Sequence, residues 1–318
     1  MPPPSKIARR CPGRLYAATA AVLALVLLAG AAVYGVVTIA RSTPAAGTGA
    51  GTGGAGGRFG IAAGEVLAKA NELAVSGSAR PEERLALLGP AVEAYPEDQE
   101  LRIALAHAHH DRKDWASAYT AMETAIAIGP ETAALHAAAG TYANAAGLLG
   151  RSIEHYTRAK QLEPKNAVHP LYLGMVQIKA GRDREAMASL VTATVLNPDL
   201  AAAWGSMGEL ELRNNQLGLA LQHLERARAI QPESLKWRVA EAKVHKRQNE
   251  PQRALDLLVN LPEKERYSAE AVSVVADALA MLQQGERRAE YLRAAEVFVR
   301  VQLEQQQVGF DIGEKVVV

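Results

Sequence analysis

The sequence predicts an all-α protein: a solenoid of stacked helix pairs preceded by a single transmembrane helix. Three observations carry this. Proline recurs at Pro130, Pro164, Pro198 and Pro232, each 34 residues after the last. In the frame those prolines set, small residues return at two positions where neighbouring helices would cross. Residues 15–40, LYAATAAVLALVLLAGAAVYGVVTIA, hold no charge over 26 residues.

The apolar segment comes first in the chain. As a helix it spans ~39 Å at ~1.5 Å per residue, more than the ~30 Å hydrocarbon core, and tilt absorbs the excess. The competing reading is a cleaved signal peptide, whose apolar core runs only about 7–15 residues. This stretch is longer and no Ala-x-Ala site closes it, so an uncleaved anchor is expected. Cys11 precedes the apolar stretch and therefore does not fit a lipoprotein cysteine. Arg9-Arg10 is followed by Cys-Pro-Gly rather than the apolar pair of a twin-arginine signal. Lys6, Arg9, Arg10 and Arg14 lie before the span and only Arg41 close after it. The positive-inside rule then gives a basic cytoplasmic tail, 1–14, and an extracytoplasmic remainder, periplasmic in a Gram-negative type of cell. Residues 41–64 read as a Gly/Ala-rich flexible linker. Gly51, Gly53 and Gly56 fit Gly-x-Gly-x-x-Gly in spacing, but no strand precedes them and no helix follows directly, so a tether is the better reading.

With each proline at position 32, the units are 99–132, 133–166, 167–200 and 201–234, with a fifth from 235 ending early at Pro262 (235–266). Position 8 holds Ala106, Gly140, Gly174, Gly208 and Ala242, and position 20 holds Ala118, Ser152, Ala186, Ala220 and Ala254. Position 24 is bulky throughout: Met122, Tyr156, Leu190, Leu224 and Leu258. Positions 4, 7, 8 and 11 share one face of a first helix, and 20, 24 and 27 one face of a second. Small residues at 8 and 20 let the two axes approach. One pair cannot bury its apolar face alone, whereas stacked pairs bury a continuous core. Pro96 extends the frame to a leading unit, 65–98. Helices expected at 268–283 and 286–305 make a capping unit, 267–302, and 303–318 reads as a loose tail.

The period, together with Leu173-Gly174, Ala186, Leu190, Ala193 and Pro198 in one unit and Trp204, Met207, Gly208, Ala220, Leu224, Ala227 and Pro232 in the next, resembles the tetratricopeptide repeat (TPR) family. The resemblance implies a right-handed superhelix over about 65–302 whose concave groove, lined by positions 2, 5, 9, 12 and 13, holds peptides. The sequence departs from the family at position 4, where only Trp204 is aromatic against Arg102, His136, Pro170 and Arg238. It departs also at position 11, often tyrosine, which is His109, Ala143, Gln177, Glu211 and His245.

Chemistry is sparse. Residues 65–318 hold 29 of the 35 basic residues and all 34 acidic ones, about −5, and aromatics are 5% of the chain. That is a poor nucleic-acid surface. A lone cysteine allows no internal disulfide and no usual zinc site. No Gly-x-Ser-x-Gly, phosphate-binding Gly-Lys-Ser/Thr loop or His-Glu-x-x-His is present. No catalytic residue, metal or cofactor is expected. His107 and His110, three apart on one helix face, are the nearest approach to a metal pair, with solvated groove residues as the plainer reading.

Lys179, Arg213 and Arg247 share position 13 and should stack as a ladder, with Lys243 and Lys246 on the same face and Asn144 in an earlier unit. One reading is a basic half-groove holding an acidic or carboxylate-ended peptide. The other is that position 13 closes the first helix, where a cation favours the helix dipole. The chain is therefore expected to be a non-enzymatic, membrane-anchored scaffold for protein partners. The alternative is an accessory subunit of a membrane-bound enzyme or of envelope or cytochrome assembly machinery.

Overall fold

The structure, a computed structural model, describes residues 62–75 and 81–314, with side chains to residue 301. The basic tail, the apolar segment 15–40 and most of the linker lie outside the described residues. Within them no helix is long and apolar enough to cross a membrane.

The described residues form fifteen helices and no strand. They run in pairs: α1 Ala63–Val75 with α2 Pro81–Ala94, α3 Gln99–Asp111 with α4 Trp115–Ile128, α5 Ala133–Ala145 with α6 Leu149–Leu162, α7 Val168–Lys179 with α8 Asp183–Leu196, α9 Ala201–Arg213 with α10 Leu217–Ile230, and α11 Leu235–Arg247 with α12 Pro251–Leu258. A single turn, α13 Glu263–Arg266, leads to α14 Ala269–Met281 and α15 Gly285–Glu314. Within each pair the helices pack side by side. Each second helix packs on the next first helix, and the first helices α7, α9, α11 and α14 also touch in succession. Pro130, Pro164, Pro198 and Pro232 all lie in the joints between pairs.

The crossing inside a pair is built as the small positions require. A Cβ added to Gly140 would lie 3.0 Å from the Tyr156 ring. One on Gly174 would lie 2.8 Å from Leu190 Cγ, and one on Gly208 2.6 Å from Leu224 Cγ and 3.0 Å from the Ala220 carbonyl. Ala106, Ala118, Ala186, Ala220 and Ala254 are fully buried at the equivalent contacts. Ser152, the one polar residue among them, donates its hydroxyl to the Gly140 carbonyl at 2.7 Å. Between pairs, the Trp237 ring of α11 lies flush on Gly205 of α9.

The turn inside each pair carries a second 34-residue repeat. Lys113, Gly147, Gly181, Asn215, Asn249 and Gln283 all take positive φ, between 57° and 79°. The next residue's N–H reaches back five residues each time, as from Asp114 to His109 and from Gln284 to Leu279. The left-handed residue donates three back, as from Lys113 to His110. This is a Schellman ending, which satisfies carbonyls that a helix terminus leaves open. It recurs at Gln283, so α14 and α15 continue the same frame.

At position 11, two of the buried polar residues that stand in place of tyrosine find partners. Gln177 accepts the Ser189 hydroxyl at 2.8 Å, and Glu211 faces His223 Nδ1 at 2.7 Å. Both are pairs between positions 11 and 23. Buried polar groups need such partners. The carboxyl end differs from the loose tail expected at 303–318: α15 runs on to Glu314. Leu303 to Val308 read LEQQQV, mostly good helix formers with no proline, so nothing local stops the helix at 305.

Candidate protein-interaction face

The first helices bring the expected groove positions onto one face, but most of their charges are already engaged. Lys179, at the end of α7, donates from Nζ to Asn144 Oδ1 of the preceding pair at 3.0 Å. Arg213, at the end of α9, pairs with Asp183 at the start of α8, and Asn214 Nδ2 donates to the other oxygen of the same carboxylate at 3.1 Å. Arg247, at the end of α11, donates from Nη1 to the Leu212 carbonyl at 2.6 Å. All three cations reach back one repeat. The ladder is thus a set of ties that hold successive pairs in register, and Asn144 belongs to it. Arg247 also supplies a partner for a carbonyl in the last turn of α9, the electrostatic role of a cation at a helix end.

Lys246 is likewise committed, to Asp277 of α14 at 2.7 Å. The ladder's acidic member, Asp111, pairs with the buried Arg84 of α2. His110 packs between Trp115 and Tyr142, with ring centroids at 5.2 and 5.3 Å, and its Nδ1 lies 3.2 Å from Asp111 Oδ1. His107 is exposed. No group of three or more metal-ligating side chains converges there or elsewhere among the described residues.

Of the five basic candidates, Lys243 alone makes no hydrogen bond or ion pair. It borders an open hollow of about 480 Å³ lined by three successive first helices, α9, α11 and α14. The floor includes Leu235 and Ala240, and the rim holds Glu209, Lys236, Ser268 and Glu270. Lys236 is bound to Glu209 at 3.2 Å and lies 4.6 Å from the centre of the Trp237 ring. Glu209 and Lys243 are both position 9, and Lys236 and Glu270 are both position 2. Those positions belong to the groove set, so the period alone could have pointed to Glu209 and Glu270. Being acidic, they interrupt the basic stripe that position 13 suggests.

No family model matches the sequence, and no curated protein matches it. Many solved structures match the fold. PilW, a type IV pilus biogenesis factor, superposes with a TM-score of 0.56 at 18% identity, covering 67% of this chain and 98% of that one. A tetratricopeptide repeat protein from Parabacteroides merdae gives 0.54 at 20% identity over 63% and 79%. PilF of Pseudomonas aeruginosa gives 0.52 at 17% identity over 67% and 97%. The helix pairs form a TPR solenoid. In this geometry successive first helices lie side by side, and their outward positions leave a shallow trough that includes the hollow beside Lys243.

Proposed function

We propose that the chain is a membrane-anchored TPR scaffold. Residues 15–40 would hold it in a bacterial-type inner membrane, and the solenoid would gather protein partners on the extracytoplasmic side with no catalysis of its own. The observation that carries the binding reading is the hollow between α9, α11 and α14. It combines apolar floor residues with one uncommitted ammonium, Lys243, on a face otherwise tied up in inter-repeat contacts. A partner segment that sets an apolar side chain on Leu235 and Ala240 and an acidic group on Lys243 fits this lining. Glu209 and Glu270 then discriminate against acid placed elsewhere along the trough.

Pull-down of partners by the full chain from solubilised membranes tests this. Lys243→Glu is expected to lower capture by about tenfold, the effect of ~1.4 kcal/mol. Unchanged capture at low salt would sink the acidic-group reading. Orientation has its own test: a reporter fused after Val318 that works only in the cytoplasm would overturn the topology.

A further inference from the structure

His136, in the first turn of α5, and His155, in the middle of α6, are both buried. Their Nδ1 atoms face each other at 2.9 Å. His136 Nε2 lies 2.7 Å from Glu131 Oε1, and His155 Nε2 lies 2.9 Å from Glu123 Oε1. The protons in this row can be counted. A carboxylate only accepts, so each Nε2 donates. One Nδ1 must donate to the other, because two lone pairs or two N–H groups at that distance repel. Two neutral rings supply two N–H groups and the row needs three. This geometry calls for one extra proton on the pair.

We propose that His136 and His155 form a proton-operated joint: one shared extra proton closes the contact between repeats 99–132 and 133–166, and a second proton opens it. The second proton would set N–H against N–H between two buried rings, and the rings must then part. They tie α4, α5 and α6 together by polar contacts, since Glu123 comes from α4, Glu131 from the connection into α5, and His155 from α6.

The charged and titratable neighbours set where this happens. From α4, Glu123 faces His155, and the Tyr119 ring meets it edge-on at 5.8 Å. From α6, Arg158 grips Glu131 with two bonds of 2.6 Å each, while Arg151 and Glu154, just before His155, pair with each other. Burial is the largest influence on His155 and pushes its pKa down. Glu123 and Glu154 act in the opposite direction, and the charge of His136 acts with burial. A histidine lowered in the folded state binds its proton at lower pH than the unfolded chain does. For that second proton, stability is complete above about pH 6.5 and falls as pH drops below it; at the alkaline end the contact weakens once the first proton leaves.

Two measurements on the full chain test the joint. Side-chain ¹⁵N NMR at neutral pH should show one of the two rings protonated on both nitrogens and the other on Nε2 alone; two neutral rings would overturn the proposal. Amide exchange, corrected for its intrinsic pH dependence, should show protection in α4–α6 falling about tenfold between about pH 7 and pH 5, with α9–α11 changing less than about twofold. His223 in that second region faces Glu211 with no second histidine beside it, so it serves as the internal control. In His155→Gln the amide carbonyl can accept from His136, and the selective fall should vanish. Equal protection at both pH values in wild type, or the same fall in the variant, would refute the joint.

Discussion

Arg247 Nη1 donates to the carbonyl of Leu212, 35 residues earlier and one repeat back, at 2.6 Å. Lys179 makes the equivalent reach to Asn144. A row of cations that looks like a binding stripe in the sequence is thus spent on register between repeats. Lys243, on the same face, is not. The two kinds of cation should separate experimentally. Arg247→Ala is expected to cost about 1 kcal/mol, the loss of a charged donor's bond to a carbonyl of the preceding repeat. Lys243→Ala should stay within about 0.5 kcal/mol. Urea denaturation followed by far-UV circular dichroism measures both, and equal losses would contradict the division.

The helix crossing gives a second contrast. Gly208→Ala places a Cβ 2.6 Å from Leu224 Cγ and 3.0 Å from the Ala220 carbonyl, which is backbone and cannot step aside. A loss of about 1–3 kcal/mol is expected from overpacking. Gly218→Ala, in α10 with nothing within 4 Å of the added carbon, should instead gain up to ~1 kcal/mol from helix propensity. Thermal melts of the two variants should move in opposite directions.

The left-handed turns predict stabilising changes at residues whose side chains oppose them. Lys113 has φ 63° and Gln283 has φ 57° where other repeats place glycine or asparagine. Lys113→Gly and Gln283→Gly should each add roughly 0.5–1 kcal/mol, because glycine enters that region without a steric cost. Gly181→Ala, at φ 72°, should lose a similar amount. Denaturant midpoints of the three variants decide the matter, and a loss at Lys113→Gly would count against it.

Acid should loosen one named contact. Arg158, the largest influence on Glu131, lowers its pKa to about 2, against an ordinary value of 4.5. A depressed carboxyl contributes stability that is present above about pH 4.5 and lost as pH falls toward about 2. Arg158→Gln should flatten the stability–pH curve within that window, lower stability above it, and leave the slope above pH 6.5 unchanged. Unfolding midpoints at stepped pH give the readout. A curve still as steep as wild type between those values would exclude the pair as its cause.

The period was legible because packing imposes it on residue size. Gly140, Gly174 and Gly208 are small since a Cβ has no room there, and the joints take proline since no helix runs through them. The positive-φ turns were harder to read. Lys113 and Gln283 hide a rule that Gly147, Gly181, Asn215 and Asn249 obey openly. The partners of the ladder cations were not legible, because each lies in another repeat and one is a backbone carbonyl without any side-chain signature. His136 was visible as a lost aromatic at position 4. Its pairing with His155, 19 residues on, needed the crossing angle of α5 and α6 that only the fold supplies.

The proposed binding of partners at the α9–α11–α14 hollow has a direct test. A photo-crosslinking residue placed at Lys243, with another at the exposed Glu225 of α10 as control, tests it in intact cells. A membrane-associated protein adduct of defined mass is expected from position 243 and none from position 225. No protein adduct from position 243, or equal adducts from both positions, would contradict it.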